Sequence, residues 1–160
     1  MSNKFRALFV VKNLKLQRVT IFGFILSLLG IADAAYLTIA HYTQTVALAC
    51  PTTSFINCAK VTSSSYSEVL GVPVALIGLI FFVVLAVIQL PIFWNNNFLW
   101  LKNPRLIYTG LGLVGVFWFV YVELDKLHAI CLYCTYVHIL TLLSFITILF
   151  ASEHLKNLND

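Results

Sequence analysis

Four cysteines carry the chemistry that this sequence could perform. Two of them, Cys131 and Cys134, form a C-x-x-C motif within the stretch HAICLYCTYVHIL at residues 128–140. In a soluble chain this motif indicates a redox-active dithiol or half of a zinc site. Here the motif runs directly into an apolar segment, so it places two thiols at the mouth of a membrane helix. The other two cysteines, Cys50 and Cys58, lie in a more polar stretch.

The C-x-x-C spacing predicts two thiols at different depths. In a helix, Cys131 and Cys134 share one face and lie about 4.5 Å apart along the axis. The partial positive charge of the helix N-terminus favours the nucleophilic thiolate. Cys131 is then the outer thiol and Cys134 lies almost one turn deeper. Such a pair could pass electrons between a protein thiol outside and a lipid-soluble acceptor inside.

The loop cysteines could form the other half of a relay. A disulfide between Cys50 and Cys58 could be reduced by an external dithiol, after which a loop thiol attacks Cys131 through a mixed disulfide. The alternatives are packing for the C-x-x-C motif and a structural disulfide for the loop pair. A zinc site ranks lower, because C-x7-C followed by C-x2-C is not a common zinc framework. We therefore predict no metal.

Hydropathy supplies the elements that must position these thiols. The chain has 160 residues, of which 61% are hydrophobic and 10% charged, and its mean hydropathy is +0.94. Four apolar segments each come near the roughly 20 residues that a membrane helix needs. We predict an all-α membrane protein with a single integral membrane domain over residues 1–160. Its four-transmembrane-helix bundle covers about residues 19–42, 72–94, 106–124 and 129–150, and a cysteine-bearing outer loop covers residues 43–71.

The first apolar segment has a second interpretation as a secretory signal peptide. It follows basic residues, and the sequence ADA at residues 32–34 resembles a cleavage site. However, the apolar run continues beyond a short hydrophobic region, and Asp33 interrupts it. We therefore interpret the segment as a retained first helix.

Basic residues predict the orientation. Eight lysines and arginines fall on one side of the predicted spans, and only Lys60 and Lys126 fall on the other. The positive-inside rule then places both termini in the cytoplasm and all four cysteines at the extracytoplasmic face of a multi-pass cell-membrane protein. That is the oxidising side, where disulfides persist. The net charge of +4 lies mostly in one short block, so we do not predict nucleic-acid binding.

Several motifs together resemble the vitamin K epoxide reductase family, especially its bacterial and archaeal members. The resemblance covers most of the chain and rests on four stretches: CPTTSFINC at 50–58, KVTSSS at 60–65, GVPVALIGLIFF at 71–82 and CLYC at 131–134. It implies that Cys134 reacts with a quinone, that Cys131 pairs with Cys134, that Cys58 meets Cys131, and that Cys50 receives electrons from a partner.

The resemblance also implies a hydroxyl group that binds the quinone, which by its offset from Cys58 is Ser64, with Ser63 and Thr62 as neighbours. From the residues themselves, His138 lies one turn below Cys134 and could donate a hydrogen bond to a quinone oxygen, or equally bond a neighbouring helix. Phe81 could line the quinone pocket or simply pack.

The sequence departs from the animal members of that family at two positions. Those enzymes have a tyrosine where this chain has His138, and an asparagine where it has Val74. Both positions help to bind vitamin K in the animal enzymes, so the departures weaken a prediction of epoxide reduction. They favour a role in disulfide formation.

These observations predict a quinone-dependent thiol oxidoreductase. Electrons would pass from an extracytoplasmic thioredoxin-like protein of the DsbA type, through both cysteine pairs, to a membrane quinone such as ubiquinone, menaquinone or a vitamin K-type quinone. One alternative is a quinone or vitamin K epoxide reductase that recycles the cofactor itself. The other is a small structural membrane subunit without activity.

Two further groups of residues are predicted to be structural. Glu123 and Asp125 are expected to be interfacial charges at the outer end of the third span. Small residues on the first span (Gly23, Ser27, Gly30, Ala34) and on the third (Gly110, Gly112, Gly115) are expected to allow close helix packing.

Overall fold

Helices make up most of the chain. The computed structural model describes residues 14–43, 49–94 and 100–157. Its helices are α1 (Leu14–Thr43), the short α2 (Cys58–Thr62), α3 (Val74–Ile88), α4 (Lys102–Tyr121) and α5 (Leu132–Asn157). Strands β1 (Glu68–Val69) and β2 (Val72–Pro73) pair antiparallel as a hairpin between α2 and α3.

Three helical segments of the described chain are long and apolar enough to cross a membrane. They are Leu14–Thr43, Lys102–Leu127 and Leu132–His154. The outward surfaces of these helices carry many exposed large apolar side chains, Phe22, Ile107, Phe117 and Phe150 among them. Surface of this kind is suited to lipid contact. The chain is therefore a mostly helical membrane protein.

The predicted second span is too long. Instead of residues 72–94, helix α3 covers Val74–Ile88 and has 15 residues, which gives it a length of roughly 22 Å. The chain then turns through a 3₁₀ segment at Pro91–Trp94. The buried Arg105 fixes this end, since its guanidinium donates to the carbonyls of Ile88 (3.2 Å) and Phe93 (2.5 Å). A fourth membrane crossing stays a prediction.

The other predicted boundaries shift by a few residues. The first helix extends over Leu14–Thr43 rather than 19–42, because its basic first turn is also helical. The third begins at Lys102 rather than 106, and a π-helical segment at Val122–Leu127 carries it past 124. The fourth begins at Leu132 rather than 129, because Ile130 pairs with the outer loop instead of joining the helix. It extends to Asn157 rather than 150.

Close contacts between helices confirm one part of the small-residue prediction. Helix α1 packs mainly against α3 and α5, while α4 packs mainly against α5. A Cβ atom at Gly30 would lie 2.3 Å from the Phe82 ring, and one at Gly112 would lie 2.5 Å from Phe81. The prediction was wrong for Gly110 and Gly115, where a Cβ atom would meet nothing within 4 Å. These two glycines do not serve close packing.

Candidate functional site

The loop cysteines form a disulfide. Cys50 and Cys58 are bridged, with their Cα atoms 6.1 Å apart. Cys58 is the first residue of α2, which Asn57 caps by accepting a hydrogen bond from the Lys60 N–H at 2.9 Å. Cys58 is buried, whereas Cys50 is only partly buried. The pair therefore has an inner sulfur and a more accessible outer one.

Backbone hydrogen bonds join the loop to the segment that precedes the C-x-x-C motif. Ile56 and Ile130 form a parallel β-bridge. The Asn57 N–H donates to the Ile130 carbonyl at 3.1 Å, and the Ile130 N–H donates to the Phe55 carbonyl at 2.7 Å. The residues immediately before Cys58 and Cys131 are therefore held side by side. This arrangement brings the two cysteine pairs together.

The C-x-x-C cysteines are free thiols in two different environments. Cys131 is fully buried at 0% exposure, while Cys134 is partly buried. Cys131 lies one residue before α5. Hydrogen bonds from the Cys134 thiol and from the backbone N–H groups of Cys134 and Tyr133 lower the pKa of the Cys131 thiol, and burial opposes them. The distance from the Cys134 nitrogen to the Cys131 sulfur is 3.3 Å. The start of the helix thus favours the Cys131 thiolate.

A buried carboxyl group lies beside the two thiols. Glu123 is only 5% exposed, and its carboxylate lies within hydrogen-bonding reach of the Cys131 backbone N–H and of the Cys134 thiol. The prediction that Glu123 is an interfacial charge was wrong. The π-helical segment turns this side chain inward, while the adjacent Asp125 is exposed and pairs with Lys126 at 2.9 Å.

An apolar cavity of about 370 Å³ opens next to Cys134. It lies between α1, α3, α4 and α5, where α4 makes little contact with α3. Phe81 and Tyr108 stack in its wall with ring centroids 5.0 Å apart, and the Tyr108 hydroxyl donates to the Phe81 carbonyl at 3.1 Å. The polar or titratable side chains in its lining are those of His41, Thr62, Ser64, Tyr66, Ser67, Tyr108, Glu123, Cys134, His138 and Thr141.

The outer loop covers one side of this cavity. Residues of α2 and of the 3₁₀ turn at Ser65–Ser67 contribute to its lining. His41, at the end of α1, pairs with Glu68 of β1 at 3.2 Å. The Ser64 hydroxyl donates to the Val61 carbonyl at 2.8 Å, so its oxygen retains acceptor capacity.

Part of the set that the sequence singled out meets at this cavity, whereas Cys50, Cys58 and Cys131 are not in its lining. Cys134, Ser64, His138 and Phe81 all line it, and Val74 does so too. Cys131 contacts Cys134, and it follows Ile130, which bridges to Ile56 of the outer loop. Sequence reasoning missed Glu123, Tyr108 and His41 as members of the site. The one available signal was an acidic residue eight positions before Cys131, and no sequence pattern shows that it turns inward.

A loop disulfide joined by backbone hydrogen bonds to the segment before a free dithiol is an arrangement typical of cysteine-dependent membrane oxidoreductases. A model of the vitamin K epoxide reductase family matches residues 21–149. The chain belongs to the vitamin K epoxide reductase family, as its motifs predicted. No curated protein matches the chain.

Proposed function

We propose that this protein is a quinone-dependent thiol oxidoreductase that supports disulfide bond formation outside the cytoplasm. Its reaction converts a partner dithiol and a quinone into a partner disulfide and a quinol. Two S–H bonds break, one S–S bond forms, and two electrons and two protons reach the quinone. The partner would be a thioredoxin-like protein of the DsbA type.

The observation that supports this proposal is the placement of the two C-x-x-C thiols. Cys131 adjoins the loop disulfide through the Ile56–Ile130 bridge, while Cys134 faces the apolar cavity. Electrons that enter at the more accessible Cys50 would pass to Cys58, then to Cys131, and leave from Cys134. Each transfer between pairs requires one direct contact between two sulfurs.

The cavity has the chemistry that a quinone requires. Its wall is mainly apolar and aromatic, which suits the ring and its isoprenoid tail. His138 and Ser64 offer polar atoms for the two ring oxygens. When bound, the quinone would supply a two-electron acceptor within reach of Cys134. Ubiquinone, menaquinone and a vitamin K-type quinone share this ring chemistry.

The oxidation state of the four cysteines fits one stage of that relay. The loop pair is bridged and the C-x-x-C pair is reduced. In the proposed relay, this is the stage at which the inner dithiol would hold the two electrons before the quinone oxidises it. A purely structural role would need no free dithiol at a cavity.

The test is quinone reduction by the purified protein in detergent. A reduced thioredoxin-like protein and a soluble quinone are added, and ultraviolet absorbance follows quinol formation. We expect turnover with the wild type and none with Cys134→Ala. Ser144→Ala is the matched control, because Ser144 is a buried polar residue of α5 that does not line the cavity.

Equal activity of Cys134→Ala and the wild type would contradict the proposed electron path. If the wild type gave no turnover with several quinones and dithiols, the chain would be better described as a structural membrane subunit. Reduction of a vitamin K epoxide in the same assay would instead favour recycling of the cofactor itself.

A further inference from the structure

Glu123 is a buried carboxyl group that the relay of four cysteines leaves without a role. Burial of a carboxylate in apolar surroundings is costly unless hydrogen bonds compensate for it. Here the compensating groups are the Cys131 backbone N–H and the Cys134 thiol, whose single proton can be directed to either the Glu123 carboxylate or the Cys131 sulfur. Glu123 also lines the cavity that Cys134 faces. The carboxyl group therefore contacts the reacting sulfur and the space where the proposed acceptor binds.

The backbone around Glu123 is shaped to hold it there. The π-helical segment Val122–Leu127 interrupts the regular helix, and such segments are frequent at functional sites. The Glu123 carbonyl accepts hydrogen bonds from the N–H groups of His128 and Ala129. His128 closes the turn with a left-handed backbone at φ 44°. The same turn therefore positions both the carboxyl group and the start of the C-x-x-C segment.

We propose that Glu123 is a catalytic residue that accepts the Cys134 proton during quinone reduction and delivers it to a quinone oxygen. This inference rests on the proposed function. Oxidation of the dithiol breaks two S–H bonds and forms the Cys131–Cys134 bond, and the electron pair goes to the quinone. The Cys134 proton moves to the Glu123 carboxylate and then to one quinone oxygen. The Cys131 proton leaves to water, and water protonates the second oxygen.

Other groups at the site are less well placed for this task. The titratable groups that line the same cavity are His41, Tyr66, Tyr108, Cys134 and His138, and Asp33 acts on Cys134 electrostatically from α1. Among the described residues that line the cavity, Glu123 is the group outside the thiol pair that lies within hydrogen-bonding reach of the Cys134 thiol. A carboxylate in direct contact with a thiol is a suitable proton acceptor.

The first arm of the test measures single-turnover oxidation of the reduced dithiol by a soluble quinone. Glu123→Gln keeps an oxygen that can accept from the Cys131 N–H, but it removes the base. We expect oxidation to slow about 100-fold or more. Glu123→Asp retains a carboxylate on a shorter side chain and should give an intermediate rate. Asp125→Asn is the matched control, and we expect it to behave as the wild type because Asp125 is exposed.

The second arm needs no quinone. In a Cys131→Ser background Cys134 is the one free thiol, because Cys50 and Cys58 are bridged. The rate of Cys134 alkylation by iodoacetamide is measured against pH. We expect two inflections when Glu123 is present, one of them from the carboxyl group. Glu123→Gln should remove that inflection and leave the titration of a single thiol.

Each result of these two measurements either supports or contradicts the role of Glu123 as the acceptor of the Cys134 proton. Wild-type oxidation by Glu123→Gln would overturn it. So would slow oxidation with an unchanged alkylation profile, because that combination describes a positioning residue rather than a proton acceptor. If the wild type itself showed no oxidation by quinones, the proposed function would fail, and the alkylation profile would still decide whether Glu123 takes the thiol proton. A normal thermal unfolding midpoint verifies that each variant is folded.

Discussion

The two thiols of the C-x-x-C motif differ because of their immediate neighbours. Cys131 receives hydrogen bonds from backbone N–H groups at the start of α5, and these stabilise a thiolate. Cys134 lies within α5 and lines an apolar cavity. A thiolate that exchanges with the loop and a thiol that meets the acceptor are thus separated by a single helical turn. The C-x-x-C spacing is therefore enough to place the two thiols in different environments.

His138 is predicted to bind the quinone through one hydrogen bond. It lies one turn below Cys134 and lines the same cavity. Loss of one hydrogen bond costs about 1 kcal/mol, or roughly five- to tenfold in affinity. We therefore expect His138→Leu to raise the quinone KM by roughly that factor. His138→Gln keeps a donor and should remain within about twofold of the wild type.

Steady-state quinone reduction at saturating dithiol provides this KM. A parallel measurement with limiting dithiol is the control, since neither Cys50 nor Cys58 lines the cavity that His138 lines. An unchanged KM in His138→Leu would mean that the imidazole serves packing or a helix contact, which was the alternative interpretation of this residue.

The sequence predicted the site residues whose evidence is local. The C-x-x-C spacing keeps Cys131 and Cys134 close together, and the Cys134 nitrogen lies 3.3 Å from the Cys131 sulfur. The sequence could not predict that Glu123 belongs to the site. Its inward direction depends on a π-helical segment and on its contact with the two cysteines of the C-x-x-C motif. The sequence also could not predict the bridge between Ile56 and Ile130, because these residues are far apart in the chain and no hydrophobic pattern indicates that they pair.

At the scale of the elements, apolar length predicts where helices lie but not where they end. Helix α3 shows this limit, since its apolar run continues to Trp94 while the helix stops at Ile88. The reason is tertiary. Arg105 of α4 donates to carbonyls at this end and its guanidinium lies 4.1 Å from the Trp94 ring centroid. A basic residue that follows an apolar segment is normally interpreted as lying at the membrane surface, and not as a buried side chain that caps the end of a neighbouring helix.

The contact between α1 and α3 provides a prediction at this scale. Gly30→Ala adds a methyl group that would lie 2.3 Å from the Phe82 ring, so the helices must shift apart. Overpacking of this kind costs about 1–3 kcal/mol. We expect a lower midpoint of thermal unfolding in detergent, followed by tryptophan fluorescence.

Gly110→Ala is the matched control for this substitution. It also lies within a helix, but its new Cβ atom would meet nothing within 4 Å. Alanine has a helix propensity about 1 kcal/mol better than glycine, so this variant should unfold at the same temperature or higher. Equal midpoints for both variants would show that α1 and α3 are not in close contact at Gly30.

At the scale of the whole molecule, the bundle has two chemically different ends. One end combines the start of α1, the turn after α3, the start of α4 and the end of α5, and Lys102 pairs there with Glu153 at 3.7 Å. The other end carries both cysteine pairs, the hairpin and α2. The positive-inside rule predicts that the first end is cytoplasmic, which would place the cysteine end on the oxidising side.

The final prediction concerns which end faces outward. Leu70 at the hairpin tip is 100% exposed, and Trp100 at the opposite end is 69% exposed. Each is replaced by cysteine in a Cys131→Ala, Cys134→Ala background, where the native loop pair stays bridged. The excess of lysine and arginine near Trp100 predicts that its end is cytoplasmic. A membrane-impermeant maleimide added to intact cells should therefore label Leu70→Cys, and label Trp100→Cys only after permeabilisation. The reverse pattern would place the four cysteines in the reducing cytoplasm, where the loop disulfide would not persist and the electron path would lack an external partner.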